Sequence, residues 1–156
     1  MRHWYLSLAA VVALLPAANK PAEQAKFLAD GADKMLVARR CATCHAAGNF
    51  TKFRKSEEQW GQVMADMINR GAEIPDDDYD LIVAYLTSNY GPDAKLSINR
   101  APVEEVGKLL ALAKEEAKSL VSHRDSQGPF QNFDDLLKVP GLDPKKLEAK
   151  RSLLAY

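Results

Sequence analysis

Cys41-Ala42-Thr43-Cys44-His45 is the stretch of the chain best equipped for chemistry. Two thiols stand three positions apart and an imidazole follows directly, and these are the only two cysteines among 156 residues. The C-x-x-C-H spacing lets each thiol add to one vinyl group of a single porphyrin, with the imidazole placed to bind the iron. It predicts one covalently held haem c, with Cys41 and Cys44 as thioether donors and His45 as an axial ligand. A simple disulfide, two free buried thiols or half of a zinc site would use the same residues. A structural zinc site takes four ligands, and the chain has no second cysteine pair.

An iron held by His45 needs a ligand on its other face. Beyond the leader the only other histidine is His123, far along the chain. Met35 precedes His45 on the same side of the motif and is poorly placed to cross the ring. Met64 and Met67 come later, where a chain reversal can carry them over it. Trp60, Val63 and Met67 share one helical stripe with Met64 beside it. Met67 is therefore expected as the axial ligand, with Met64 as the alternative. Plain core packing is the competing fate of both. A thioether ligand raises the potential, and a six-coordinate iron leaves no open position, so no enzymatic activity is expected.

The elements that must position these groups are helical. Residues 1–18 read as a signal peptide, with Arg2, an apolar run from Leu6 to Leu15 and small residues at Ala17 and Ala18. The run is short for a membrane span, although an uncleaved anchor uses the same pattern. Residues 19–92 form a first unit. Its expected helices are one broken near Gly31 and continuing from about 32 to 44, one capped by Ser56 with Gln59 three residues on, and one opened by Asp76-Asp77-Asp78. The polar stretch 46–55 reads as a loop. Residues 93–156 form a second unit, with a helix over about 102–123, a short one capped by Asn132 and a last one with Asp143 as N-cap and Pro144 at the first position. No strand shows sustained alternation, so the fold class is all-α.

Residues 32–92 resemble the small class-I-like c-type cytochrome modules associated with periplasmic dehydrogenases. The resemblance runs through Cys41 to His45, Ser56-Glu57-Glu58-Gln59-Trp60, Val63, Met67, Arg70-Gly71-Ala72, Ile82, Tyr85-Leu86 and Tyr90-Gly91-Pro92. It implies a small cytochrome c fold, His/Met ligation by His45 and Met67, and one-electron transfer to a redox partner. Arg39, Arg40, Lys52, Arg54 and Lys55 would pair with haem propionates, form a docking rim or simply face water.

The second unit resembles the helix-hairpin-helix domain of ComEA-type competence proteins. Ile98-Asn99-Arg100-Ala101, Glu104-Glu105, Ala117, Arg124, Gly128-Pro129-Phe130, Asp135-Leu136 and Gly141 carry the likeness. DNA-binding members turn each hairpin on a Gly-hydrophobic-Gly step whose amides meet a phosphate. Here the first position reads Leu110-Ala111-Leu112-Ala113, without glycine and compatible with continuous helix, and the second reads Gly141-Leu142-Asp143, with an acid where a phosphate would sit. From Asp93 onward eleven basic residues balance ten acidic ones, which gives no general attraction for phosphate. The expectation is thus a periplasmic one-electron carrier, docked by a degenerate tail to a dehydrogenase or larger redox complex, with DNA an unlikely partner. A competence-type DNA-binding protein carrying a haem, and a haem-stapled structural subunit, are the alternatives.

Overall fold

A computed structural model describes residues 20–156; the expected signal peptide lies outside them. The first half holds α1 (Pro21–Ala25), α2 (Lys34–Cys41), α3 (Gly48–Thr51), α4 (Glu57–Asn69) and α5 (Asp76–Tyr90). The chain is mostly helical, as expected, but boundaries moved. The helix expected to reach residue 44 stops at Cys41, and the supposed loop 46–55 contains α3. The cap of α4 is as read: the Ser56 hydroxyl accepts from the Gln59 amide at 3.3 Å, and the Gln59 side chain accepts from the Ser56 amide at 3.0 Å. These bonds satisfy amides that a helix start otherwise leaves open. Gly71, with φ of 95°, turns the chain out of α4.

Trp60, Met64, Ile82, Tyr85 and Leu86 pack with Val37 and Ala38 as the core of this half. Each such large apolar side chain contributes about 1.5–3 kcal/mol by leaving water. Polar tips inside it are satisfied locally. The Trp60 indole N–H donates to the Tyr90 carbonyl at 3.1 Å, and the Tyr90 hydroxyl accepts from the Ala29 amide at 2.9 Å. The Tyr85 hydroxyl donates to the Ala29 carbonyl.

The second half runs β1 (Leu96–Ser97), α6 (Val103–Leu110), α7 (Lys114–Gln127), α8 (Phe133–Leu136), α9 (Pro144–Glu148), a 3-10 turn (Arg151–Leu153) and β2 (Leu154–Ala155). β1 and β2 pair in parallel, Leu96 opposite Leu154, a small strand contact that lacks the alternation a sequence pattern needs. Ile98, Val106, Leu110, Leu120, Leu136 and Leu147 belong to a second core, separate from the first. The Arg124 guanidinium, 8% exposed, donates to the carbonyls of Ile98 at 3.0 Å and Ala101 at 2.9 Å, tying the approach to α6 onto α7. Asn99 clamps Phe130 with two hydrogen bonds of 2.8 Å. The expected single helix over 102–123 is two helices. Ala111 between them has φ 54° and ψ 40°, a left-handed conformation that breaks the helix.

Polar contacts join the halves. Arg54 donates to Glu105 at 3.0 Å, Asp30 pairs with Arg100, and Gly48 lies against Pro102 and Glu104. A side chain at Gly48 would put its Cβ 2.7 Å from a Glu104 carboxylate oxygen. Burial holds the Glu105 carboxyl above its ordinary range, with Arg54 pulling the other way.

Candidate nucleic-acid interface

Two helix-hairpin-helix turns lie on the surface of the second half. In the first, α6 ends at Leu110, Ala111 reverses the chain and α7 begins at Lys114. In the second, α8 gives way to Gly141, with φ of 82°, and α9 begins at Pro144. Ala111, Ala113, Gly141 and Asp143 are exposed, while Leu112 turns inward to the core. The alternation of small exposed residues around one buried apolar residue is what a hairpin tip needs to bring its backbone near a ligand.

Carboxylates occupy the free amides at both tips. The Ala113 amide donates to Glu116 at 2.7 Å, and the Lys145 amide donates to Asp143 at 2.9 Å. Glu116 also accepts from Lys146 at 3.3 Å, so one side chain spans the two hairpins. The Ala113 amide and Lys146 together hold the Glu116 carboxyl below its usual range. Lys114, Lys118, Lys145 and Lys146 are exposed around these tips. The N-cap role of Asp143 was legible in sequence; the role of Glu116 was not, because its partner lies thirty residues away in the second hairpin.

The residues around the cysteine motif are arranged less simply than their spacing suggests. Cys41 closes α2 and is half-buried, whereas Cys44 is exposed in the turn that follows. Burial pushes the Cys41 thiol up to about 11. His45 is half-buried, edge-on to Phe50, with Nδ1 3.3 Å from the Ala46 carbonyl. Met64 is 2% exposed within the first core, and Met67 is half-buried on the same helix. Neither of the two principal clefts among the described residues is lined by any of these five residues. Among the described residues, no group of three or more His, Cys, Asp or Glu is placed to hold a metal ion. Of the basic residues near the motif, Arg40 pairs with Asp78 at 2.7 Å and Arg54 is drawn into the junction between the halves. His123 stacks on Phe130, as a packing residue.

Residues 92–155 match the family model described as the helix-hairpin-helix motif. The chain is similar to ComE operon protein 1 of Bacillus subtilis, 31% identical over 65 residues, which cover 42% of this chain and 32% of that protein. It is also similar to endonuclease/exonuclease/phosphatase family domain-containing protein 1 of Xenopus laevis, 33% identical over 58 residues, 37% of this chain and 10% of that one. An uncharacterized protein of Haemophilus influenzae is 33% identical over 63 residues, 40% of this chain and 56% of the other. The chain thus spans from about a tenth to just over half of the length of these relatives. No solved structure matches.

These matches correct the expectation of a cytochrome electron carrier. The half that was set aside as a degenerate tail is the half that has a family match, and no cytochrome c family matches residues 19–92. A haem-based redox role, with a dehydrogenase or other redox protein as partner, therefore has no support from the relatives. The expectation that DNA is an unlikely partner is overturned by the same match. Of its grounds, the balanced charge and the acid at Asp143 stand, whereas the missing glycine of the first hairpin does not prevent the turn, since Ala111 takes up the left-handed conformation without one.

Proposed function

We propose that this chain is a competence-type DNA-binding protein that acts by binding, not by catalysis, through the two hairpins of its second half. The observation that carries the reading is the helix-hairpin-helix match over residues 92–155, supported by two formed hairpin turns with Ala111 and Gly141 in left-handed conformations. Small residues at the tips admit a phosphate to the backbone amides, and Lys114, Lys145 and Lys146 beside them supply charge. In the free chain Glu116 and Asp143 hold those amides. A DNA phosphate takes their place when the carboxylates turn aside, and the same movement releases Lys146 from Glu116. The similarity to ComE operon protein 1 supports a role in competence, and the signal-like residues 1–18 would carry the binding half out of the cytoplasm. Among the described residues no helix is long and apolar enough to cross a membrane.

The test is binding of the full chain to a labelled DNA duplex over a salt series. The logarithm of affinity should fall linearly with the logarithm of salt, with a slope of about −0.9 per phosphate engaged. Lys145→Ala/Lys146→Ala should make that slope shallower by roughly two contacts' worth. An absence of salt-dependent binding at low ionic strength would end the reading.

A separate proposal concerns the first half. Cys41, Cys44 and His45 have the donor chemistry for a covalent haem c: an exposed thiol, a second one at the end of α2, and an imidazole directly after them. Met67, half-buried on α4, would be the more accessible thioether donor, since Met64 is enclosed in the core. Pyridine haemochrome absorption of exported protein, set beside a Cys41→Ala/Cys44→Ala variant, tests it; a colourless wild type with both thiols free would sink it.

A further inference from the structure

Lys52, Phe53 and Lys55, from the segment between α3 and α4, meet Lys108 of α6 where the two halves join. The three ammonium groups lie 5.5, 5.7 and 4.2 Å from the centre of the Phe53 ring. An aromatic face attracts a cation, but a single ring does not neutralise three like charges gathered around it. Among the described residues none of the three lysines has a carboxylate within ion-pair distance. Of the nearby acids, Glu105 holds Arg54, and Glu104, one turn before Lys108, lies beside Gly48 and pairs with none of the three lysines. The cluster is an exposed or half-exposed cationic patch around an aromatic ring, short of counter-charge.

We propose that Lys52, Lys55 and Lys108, gathered at Phe53, form a second contact for DNA and bind phosphates of the strand beside the hairpins. The proposal rests on the reading of the hairpins as a DNA-binding surface. Lys108 lies in the last turn of α6, three residues before the Ala111 turn, so the patch and the first hairpin tip are joined by one short stretch of chain. Lys52, Phe53 and Lys55 lie outside the matched segment 92–155, so the first half contributes to the interface and is more than a carrier of the second.

The experiment uses the full chain and a labelled DNA duplex over a salt series, with Lys52→Ala/Lys55→Ala/Lys108→Ala beside the Lys145→Ala/Lys146→Ala variant. Lys20→Ala/Lys26→Ala, at the two ends of α1, serves as the control for removing charge elsewhere. The triple variant should lose about two to three units of salt slope and roughly tenfold or more in affinity at low salt. Replacing the three lysines by arginine should restore both, which a merely unfolded variant could not do. If the triple variant binds like wild type while the hairpin variant is weakened, the second contact is wrong and the hairpin reading survives. If the triple variant is weakened and the hairpin variant is not, the patch stands and the hairpin reading falls. If wild type binds no DNA at all, or polyglutamate competes as well as DNA does, the patch is not a DNA contact.

Discussion

Arg54 and Glu105 form an enclosed ion pair between the two halves: Nη2 donates to Oε1 at 3.0 Å, and the side chains are 12% and 4% exposed. The same guanidinium donates to the carbonyls of Thr51 at 2.8 Å, Phe53 at 3.1 Å and Ala94 at 2.9 Å. Among the described residues it is thus the one side chain that bonds the end of α3, the loop after α5 and the first turns of α6.

Removing one partner leaves the other charge buried and unpaired. Glu105→Ala should cost about 3–5 kcal/mol. Arg54→Met/Glu105→Leu, which removes both charges together, should cost clearly less. Urea unfolding of the three proteins decides it. Equal losses in the single and double variants would mean that the pair contributes nothing specific.

A second junction contact sets an acid limit. Asp30, paired with Arg100 and Lys34, has its carboxyl lowered to about 2, chiefly by the hydrogen bond from Arg100. A depressed carboxyl contributes stability above its unfolded value, 3.8, and loses it as the pH falls toward about 2. Asp30→Asn should therefore be less stable than wild type at neutral pH, and the difference should shrink as pH falls through that window. A pH-independent difference in urea midpoint would contradict the assignment.

Ala111 carries a conformation that costs an L-residue about 1–2 kcal/mol. Glycine removes that cost and loses part of the gain to its own flexibility. Ala111→Gly should raise the urea midpoint, by about 0.5–1 kcal/mol in stability, with an unchanged slope. A lowered midpoint would show that the turn is not strained.

The two thiols should differ before any group is attached. Cys44 is exposed and Cys41 is pushed up to about 11 by burial, so little of the latter is thiolate at neutral pH. Alkylation followed by peptide mass mapping should label Cys44 first. Simultaneous labelling would place Cys41 at the surface.

Caps and stops were the most legible features. Ser56 with Gln59, Asn132, and Asp143 with Pro144 fall where their side chains satisfy the first amides of a helix, a strictly local chemistry. The hairpin at Ala111 was missed because alanine is the best helix former, and only the packing of α6 on α7 forces it out of the helix. The junction was invisible for the opposite reason: Arg54 and Glu105 are fifty-one positions apart, and nothing nearby in sequence marks them as partners. The cysteine motif is the sharpest short signal in the chain, yet the family match covers residues 92–155, whose signals are spread thinly along that length.

The pairing of Leu96 with Leu154 and of Ser97 with Ala155, extended by the Ile98 amide to the Ala155 carbonyl at 3.0 Å, has a mechanical side. The two segments run in the same direction, one entering the hairpin unit and the other leaving it. Tension applied along the chain across this unit would pull them past each other lengthwise and load their bonds together. The hairpins are thus held in a loop whose mouth resists stretching until the whole clasp gives way at once.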